Sequence, residues 1–187
     1  ASNVSPEIVI WDPWLGGLDG RGSFIGFNVN TGTTSNTDSE FNGFLQPHQA
    51  VFFKTAENGA VDFKFKEAHK AIDQTTLQTF SEDDQQQTLQ VQLYTEESFN
   101  ANATSSDAFV IHFTADGFNG IDNRDAPKMD NIDENIARFH NGQLLVVENR
   151  AFPQANENLG LFANQFSSQD YVIKLNVPEF DDVEMKL

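Results

Sequence analysis

The chain has 187 residues with 28 acidic and 11 Lys or Arg side chains, a formal net charge of -17. That balance argues against nucleic acid or an anionic membrane surface as partner, because both need clustered basic side chains to neutralise phosphate. With no cysteine there are no disulfides, no thiolate catalysis and no Cys-ligated zinc, while 39% hydrophobic and 21% charged residues is the composition of a folded globular chain.

No stretch reaches the roughly 18 apolar residues of a membrane-spanning helix, so no membrane insertion is expected. No secretory signal is visible, and export would depend on a signal outside this sequence. The length suits one domain, expected over 1–177, with the charged segment 178–187 after Pro178 as an exit linker. Eighteen Phe against 2 Trp and 2 Met predict a phenylalanine-rich core.

In chain order, Glu7 to Trp11 reads as a strand covered on both faces, since Ile8 and Ile10 alternate with Val9 and Trp11. Asp12-Pro13-Trp14 ends it and a glycine-rich loop follows. Ser23 to Val29 alternates as a half-buried strand, and the polar stretch Asn30 to Glu40 is expected to be a long exposed loop. Ala50 to Thr55 is a strand entered through Pro47-His48, a proline being tolerated only at a strand start. Asn58-Gly59 is the strongest hairpin signal, because a type I′ turn needs positive φ at both central positions; the returning strand would carry Val61, Phe63 and Phe65 inward.

Glu67 to Asp84 has no firm period and leaves room for a short helical turn, with the acidic, glutamine-rich Glu82 to Gln87 as a surface connection. Thr88 to Thr95 sets Leu89, Val91 and Leu93 against Gln90, Gln92 and Tyr94. In Asp107 to Thr114, Phe109, Ile111 and Phe113 face one way and Val110 and His112 the other, and His112 reads as a hydrogen-bonded sheet histidine. Ile136 to His140, the turn Asn141-Gly142 and the central strand Gln143 to Glu148 follow, then Asn158 to Phe162 and Gln169 to Val177. About ten short strands parted by Gly, Asn, Asp and Pro turns, without an amphipathic helix, predict an all-β fold: a two-sheet antiparallel β-sandwich of jelly-roll type.

Ile10-Trp11-Asp12-Pro13, then Leu45-Gln46-Pro47-His48-Gln49-Ala50-Val51-Phe52-Phe53-Lys54-Thr55, and later Phe109 to Phe113 with Asp122, Asp125-Ala126 and Lys128, carry a resemblance. They are similar to a β-sandwich domain near the C-terminal end of adhesin-like Bacteroidota surface proteins exported by type IX secretion. The motifs are short and degenerate although they span most of the chain. Arg124 stands where that family often has tyrosine before Asp-Ala, and the strand with an Asn-Pro-Tyr-Pro-like turn is not seen, which implies a first strand supplied from outside. The resemblance implies an extracellular module on a cell-surface protein, with neighbouring domains of the same polypeptide as partners, and no catalytic residues.

Chemistry, if present, is expected in Asp116 to Glu134, the longest segment without an apolar period and rich in oxygen-bearing side chains. Asp116, Asp122, Asp125, Asp130 and Asp133 are candidate ligands for Ca²⁺, which takes six to eight oxygens from acidic loops; no EF-hand spacing can be placed. Alternatively Asp and Asn cap turns here, or Asp122 or Asp125 pairs with Arg124 or Lys128 to hold the loop. Gly20-Arg21-Gly22-Ser23-Phe24 is no nucleophile elbow, no metalloprotease or phosphate-binding motif exists, and with 28 acidic residues a carboxylate pair discriminates nothing. The expectation is therefore a non-enzymatic structural or adhesive module. The alternatives are a carbohydrate-binding module, with Trp14, Trp11 or Tyr94 as a stacking platform, and an accessory domain of a secreted hydrolase. A Trp in the position of Trp14 more often plugs a sandwich end than stacks on a sugar.

Overall fold

A computed structural model describes residues 3–46, 49–71, 87–154 and 156–177. The Pro47-His48 strand entry, the acidic part of the 82–87 connection and the 178–187 linker lie outside the described residues. The fold is all-β and sandwich-like, built of two sheets. Strands β1 (Val4–Asp12), β2 (Ser23–Asn28) and β3 (Val51–Thr55) make a small antiparallel sheet in the order β2-β1-β3. The larger sheet contains β4 (Gln87–Thr95), β5 (Asp107–Thr114), the two-residue β6 (Ala126–Pro127), β7 (Asn135–His140), β8 (Gln143–Ala151), β9 (Leu161–Asn164) and β10 (Tyr171–Asn176). Its order is β10-β4-β5-β8-β7-β9, with β6 also on β8. The one described helix longer than a 3₁₀ turn is α1 (Glu96–Asn100), capped by Thr95, whose Oγ1 accepts from Ser98 N.

Every described pairing is antiparallel except β5–β8, which runs parallel from Val110↔Val147 to Thr114↔Ala151. Parallel neighbours need a crossover of a dozen or more residues. The acidic segment after β5 is part of that crossover, which is why a long aperiodic stretch sits between two core strands.

Alternation places the core. Leu89, Val91 and Leu93 of β4, Phe109, Ile111 and Phe113 of β5 and Ile136 of β7 bury themselves within the curl of the larger sheet. The opposite side of β5 gives Val110, which meets Val9 of β1 and Val146 and Val147 of β8 between the sheets. Ile10, Leu15 and Ile25 form a third cluster on the far side of β1, so β1 is covered on both faces, as its sequence predicts. Each such side chain, fully buried, is worth roughly 1.5–3 kcal/mol.

Three expectations are corrected. First, the core is aliphatic: Phe27, Phe109 and Phe113 are the phenylalanines buried among the described residues, whereas Phe52, Phe53, Phe63 and Phe65 are exposed. Second, Val61 to Lys66 forms no strand on β3, although Phe53 and Phe63 bring their rings to 4.2 Å. Asn58 does not take positive φ, so the type I′ turn is not made there; it is made at Asn141-Gly142, with φ of 47° and 79°, which joins β7 to β8. Third, Asn30 to Glu40 is not an exposed loop, because Ser35 and Asn36 are 1% exposed. This segment lies over the polar face of β4: Gln90 Nε2 donates to Ser35 O at 3.1 Å, Gln92 Nε2 to Asn36 Oδ1 at 3.2 Å, and Asn36 Nδ2 to Ser105 Oγ at 2.8 Å. Buried amides meeting amides satisfy each other, and hydrophilic composition alone does not reveal that.

Candidate functional site

The structure turns the acidic crossover into a latch. Asp122 N donates to Asp125 Oδ2 at 2.7 Å and Arg124 N to Asp122 Oδ1 at 2.7 Å, closing a tight turn. Arg124 also pairs with the carboxylates of Asp122 and Asp116, each at 3.3 Å. Asp125, 1% exposed, accepts from Asn149 N at 2.8 Å and so fastens the turn to β8. Gly117 packs so closely on the Arg150 backbone that a Cβ would overlap its carbonyl. On the small sheet, Ser5 Oγ donates to Asn123 O at 2.5 Å and Lys54 Nζ to Asp122 O at 2.8 Å.

Further along, Lys128 and Asp107 make an ion pair at 2.8 Å whose side chains are 1% and 0% exposed. Asp107 also accepts from Ser23 Oγ at 3.2 Å and Ile136 N at 2.7 Å. Asn131 joins the group by accepting from Phe24 N and donating to Ser23 Oγ. Lysine, carboxylate, amide and hydroxyl together link β2, β5, β7 and the crossover.

The five candidate calcium ligands do not converge. Asp116 is exposed and turned to Arg124, Asp122 and Asp125 serve the turn, Asp130 is exposed, and Asp133 pairs with Arg21 at 2.9 Å. Among the described residues no three His, Asp or Glu side chains assemble a group that could hold a metal ion. The pairing of Asp122 with Arg124 is formed, while Lys128 chooses Asp107. The expected result of a calcium titration is a melting midpoint that stays within about 2 °C of its value in chelator; a larger rise would show that the loop rearranges to bind.

The aromatic candidates occupy three different environments. Trp14 is 84% exposed beside β1. Trp11 stands edge-on to Phe24 at 4.8 Å and covers Gly22, where a Cβ would strike its ring. Tyr94 is buried at 4%, with its hydroxyl donating to Asp38 Oδ2 at 3.0 Å and its pKa raised by burial and by Asp38. The three share no platform, and Trp14 alone presents an open face.

Two buried groups escaped the sequence reading. Arg138, Glu148 and Arg150 are 1–3% exposed; Glu148 Oε2 accepts from Arg138 Nε at 2.5 Å and its Oε1 lies 3.4 Å from Arg150 Nη1. Glu157 closes the series by pairing with Arg150. Spacing by two along β8 from Val146 through Glu148 to Arg150 was the available signal. The other is Glu7, 3% exposed on β1, whose carboxyl accepts from Asn28 Nδ2 at 2.5 Å. Burial pushes its pKa up to about 7, opposed by the Asn28 bond and assisted by Asp125.

Because the folded protein holds the Glu7 proton more tightly than the unfolded chain, its contribution is fully present below about pH 4.5 and is lost as pH rises to about 7. The change is on the order of 3 kcal/mol. Glu7→Gln, which keeps an acceptor for Asn28 without the charge, is expected to gain stability relative to the parent at pH 8 but not at pH 4. Denaturant midpoints at the two pH values check this, and equal differences at both would reject it.

A cleft of about 530 Å³ opens between the 32–41 segment and the polar face of the larger sheet. Its floor follows the strand register: Thr88 stands opposite His112 on β4 and β5, and Gln90 lies between Val110 of β5 and Asn176 of β10. Thr37 Oγ1 donates to Gln90 Oε1 at 2.8 Å, as does Asn176 Nδ2 at 3.0 Å. Thr88 Oγ1 and His112 Nδ1 share a hydrogen bond of 2.9 Å, and burial lowers the His112 pKa to about 4, leaving a neutral imidazole at neutral pH. Phe41, edge-on to Phe27 at 4.9 Å, supplies an apolar wall.

No family model, no curated protein and no solved structure matches this chain. Among the described residues no helix is long and apolar enough to cross a membrane.

Proposed function

We propose that the chain is a non-enzymatic extracellular module, a structural or adhesive unit of a longer cell-surface polypeptide of the type IX-exported kind that its motifs resemble. The observation that carries this reading is the exposed aromatic edge of the small sheet. Phe52 and Phe53 of the edge strand β3 are 47% and 49% exposed, one on each face of the small sheet, and large apolar side chains left in solvent on both faces of a sheet edge suit a contact surface. The commitment of the acidic crossover to internal bonds supports it, because those carboxylates serve the scaffold.

The test is made on the producing organism. Antibody raised against the folded domain should label intact cells, and mass spectrometry of the reactive band should find peptides beyond this sequence in one polypeptide. Labelling that requires lysis, or a native product no longer than this chain, would refute the proposal.

A further inference from the structure

We infer that the cleft between the 32–41 segment and strands β4, β5 and β10 is a binding site for a neutral oligosaccharide. This goes beyond a structural role and does not depend on it. In a protein of net charge -17, the lining described for this cleft contains no Asp, Glu, Lys or Arg. Thr37, Thr88 and Asn176 bring hydroxyl and amide groups to its surface, the buried Gln90 and His112 hold them from below, and Phe41 gives it apolar surface.

That inventory selects a ligand class. An anion would meet no cationic side chain on the described lining and would approach against the field of the whole molecule. A cation would find no carboxylate on the described lining. A pyranose offers hydroxyls that both donate and accept, matching amides and hydroxyls that do the same, and its C–H face can lie on an aromatic ring. The volume falls within the roughly 300–1,000 Å³ of small-molecule sites. The floor is also held in place, since Gln90 Oε1 is gripped from two sides by Thr37 and Asn176, so little ordering would accompany binding.

The experiment records amide chemical shifts of the full chain while adding cellotetraose, laminaritetraose, mannotetraose, xylotetraose or chitotetraose to about 10 mM, enough to detect millimolar affinity. Tetragalacturonate and an uncharged Gly-Thr-Gln peptide are the comparison probes. At least one neutral sugar is expected to move the amides of Thr88, Gln90, His112 and Asn176, with tetragalacturonate inert. Asn176→Leu, at an exposed position, should weaken binding about tenfold by removing one hydrogen-bonding side chain. Thr37→Trp should abolish it by filling the mouth, with amides outside the cleft unmoved. The inference is overturned if no neutral sugar shifts these amides, if the shifts persist in both variants, or if the anionic sugar or the peptide binds as well or better.

Discussion

Lys128→Met is expected to lower the free energy of unfolding by about 3–5 kcal/mol, the range for removing one partner of a buried ion pair. The reason lies in what remains. Asp107 is fully buried and would keep only the Ser23 hydroxyl and the Ile136 amide as donors, and two neutral donors do not replace an ammonium 2.8 Å away. Domains of this kind have roughly 5–15 kcal/mol in total, so the variant should be visibly less stable in urea. Lys128→Met combined with Asp107→Asn should recover part of the loss, because the uncompensated charge is gone. A single variant within about 1 kcal/mol of the parent would mean that water reaches Asp107 and that the pair does not hold the crossover to β5.

Period-two alternation made the strands legible. β4, β5, β7 and β10 stand where their apolar residues predict, and the two faces of β5 are assigned correctly from Phe109, Val110, Ile111 and His112 alone. Burial of alternate side chains is a local property, so a local pattern can carry it. The parallel β5–β8 pairing was not legible, because register between distant strands is set by tertiary fit and not by either strand. Asn30 to Glu40 failed for a related reason: Ser35 and Asn36 read as solvent-loving until Gln90 and Gln92, more than fifty residues away, are seen to satisfy them. Asn58-Gly59 and Asn141-Gly142 share one dipeptide, yet only the second has strands on both sides that pair.

The candidate site shows the same division. The sequence singled out Asp116 to Glu134 and allowed that Asp122 pairs with Arg124, which it does. What the crossover fastens itself to, namely Ser5, Lys54, Asp107 and Asn149, is scattered over the chain and becomes adjacent only in the fold. The cleft was out of reach for the same reason, since its lining comes from the 32–41 segment and from three strands.

Glu148→Gln is the second substitution with a large expected effect, a loss of about 3–5 kcal/mol. It leaves the guanidinium groups of Arg138 and Arg150 buried within one end of the larger sheet, with a neutral amide between them. Arg150 would retain its pair with Glu157, but Arg138 would keep only the neutral carbonyls of Phe139 and Gly160 and lose its counter-charge. Changing all three residues together to Met, Leu and Met, which leaves the Glu157 carboxylate, 22% exposed, to solvent, should cost far less than Glu148→Gln alone, and a gain of about 1–4 kcal/mol is within the range for apolar replacement of buried ionic groups. Urea unfolding of the parent, single and triple variants measures both differences. If the triple variant is the more stable protein, the ionic group is kept for specificity: Arg138 reaches across from β7 to Gly160 ahead of β9, a contact that a methionine could not orient. Slower or heterogeneous refolding of an otherwise stabler triple variant would then be the signature of that role, and unchanged refolding would remove it.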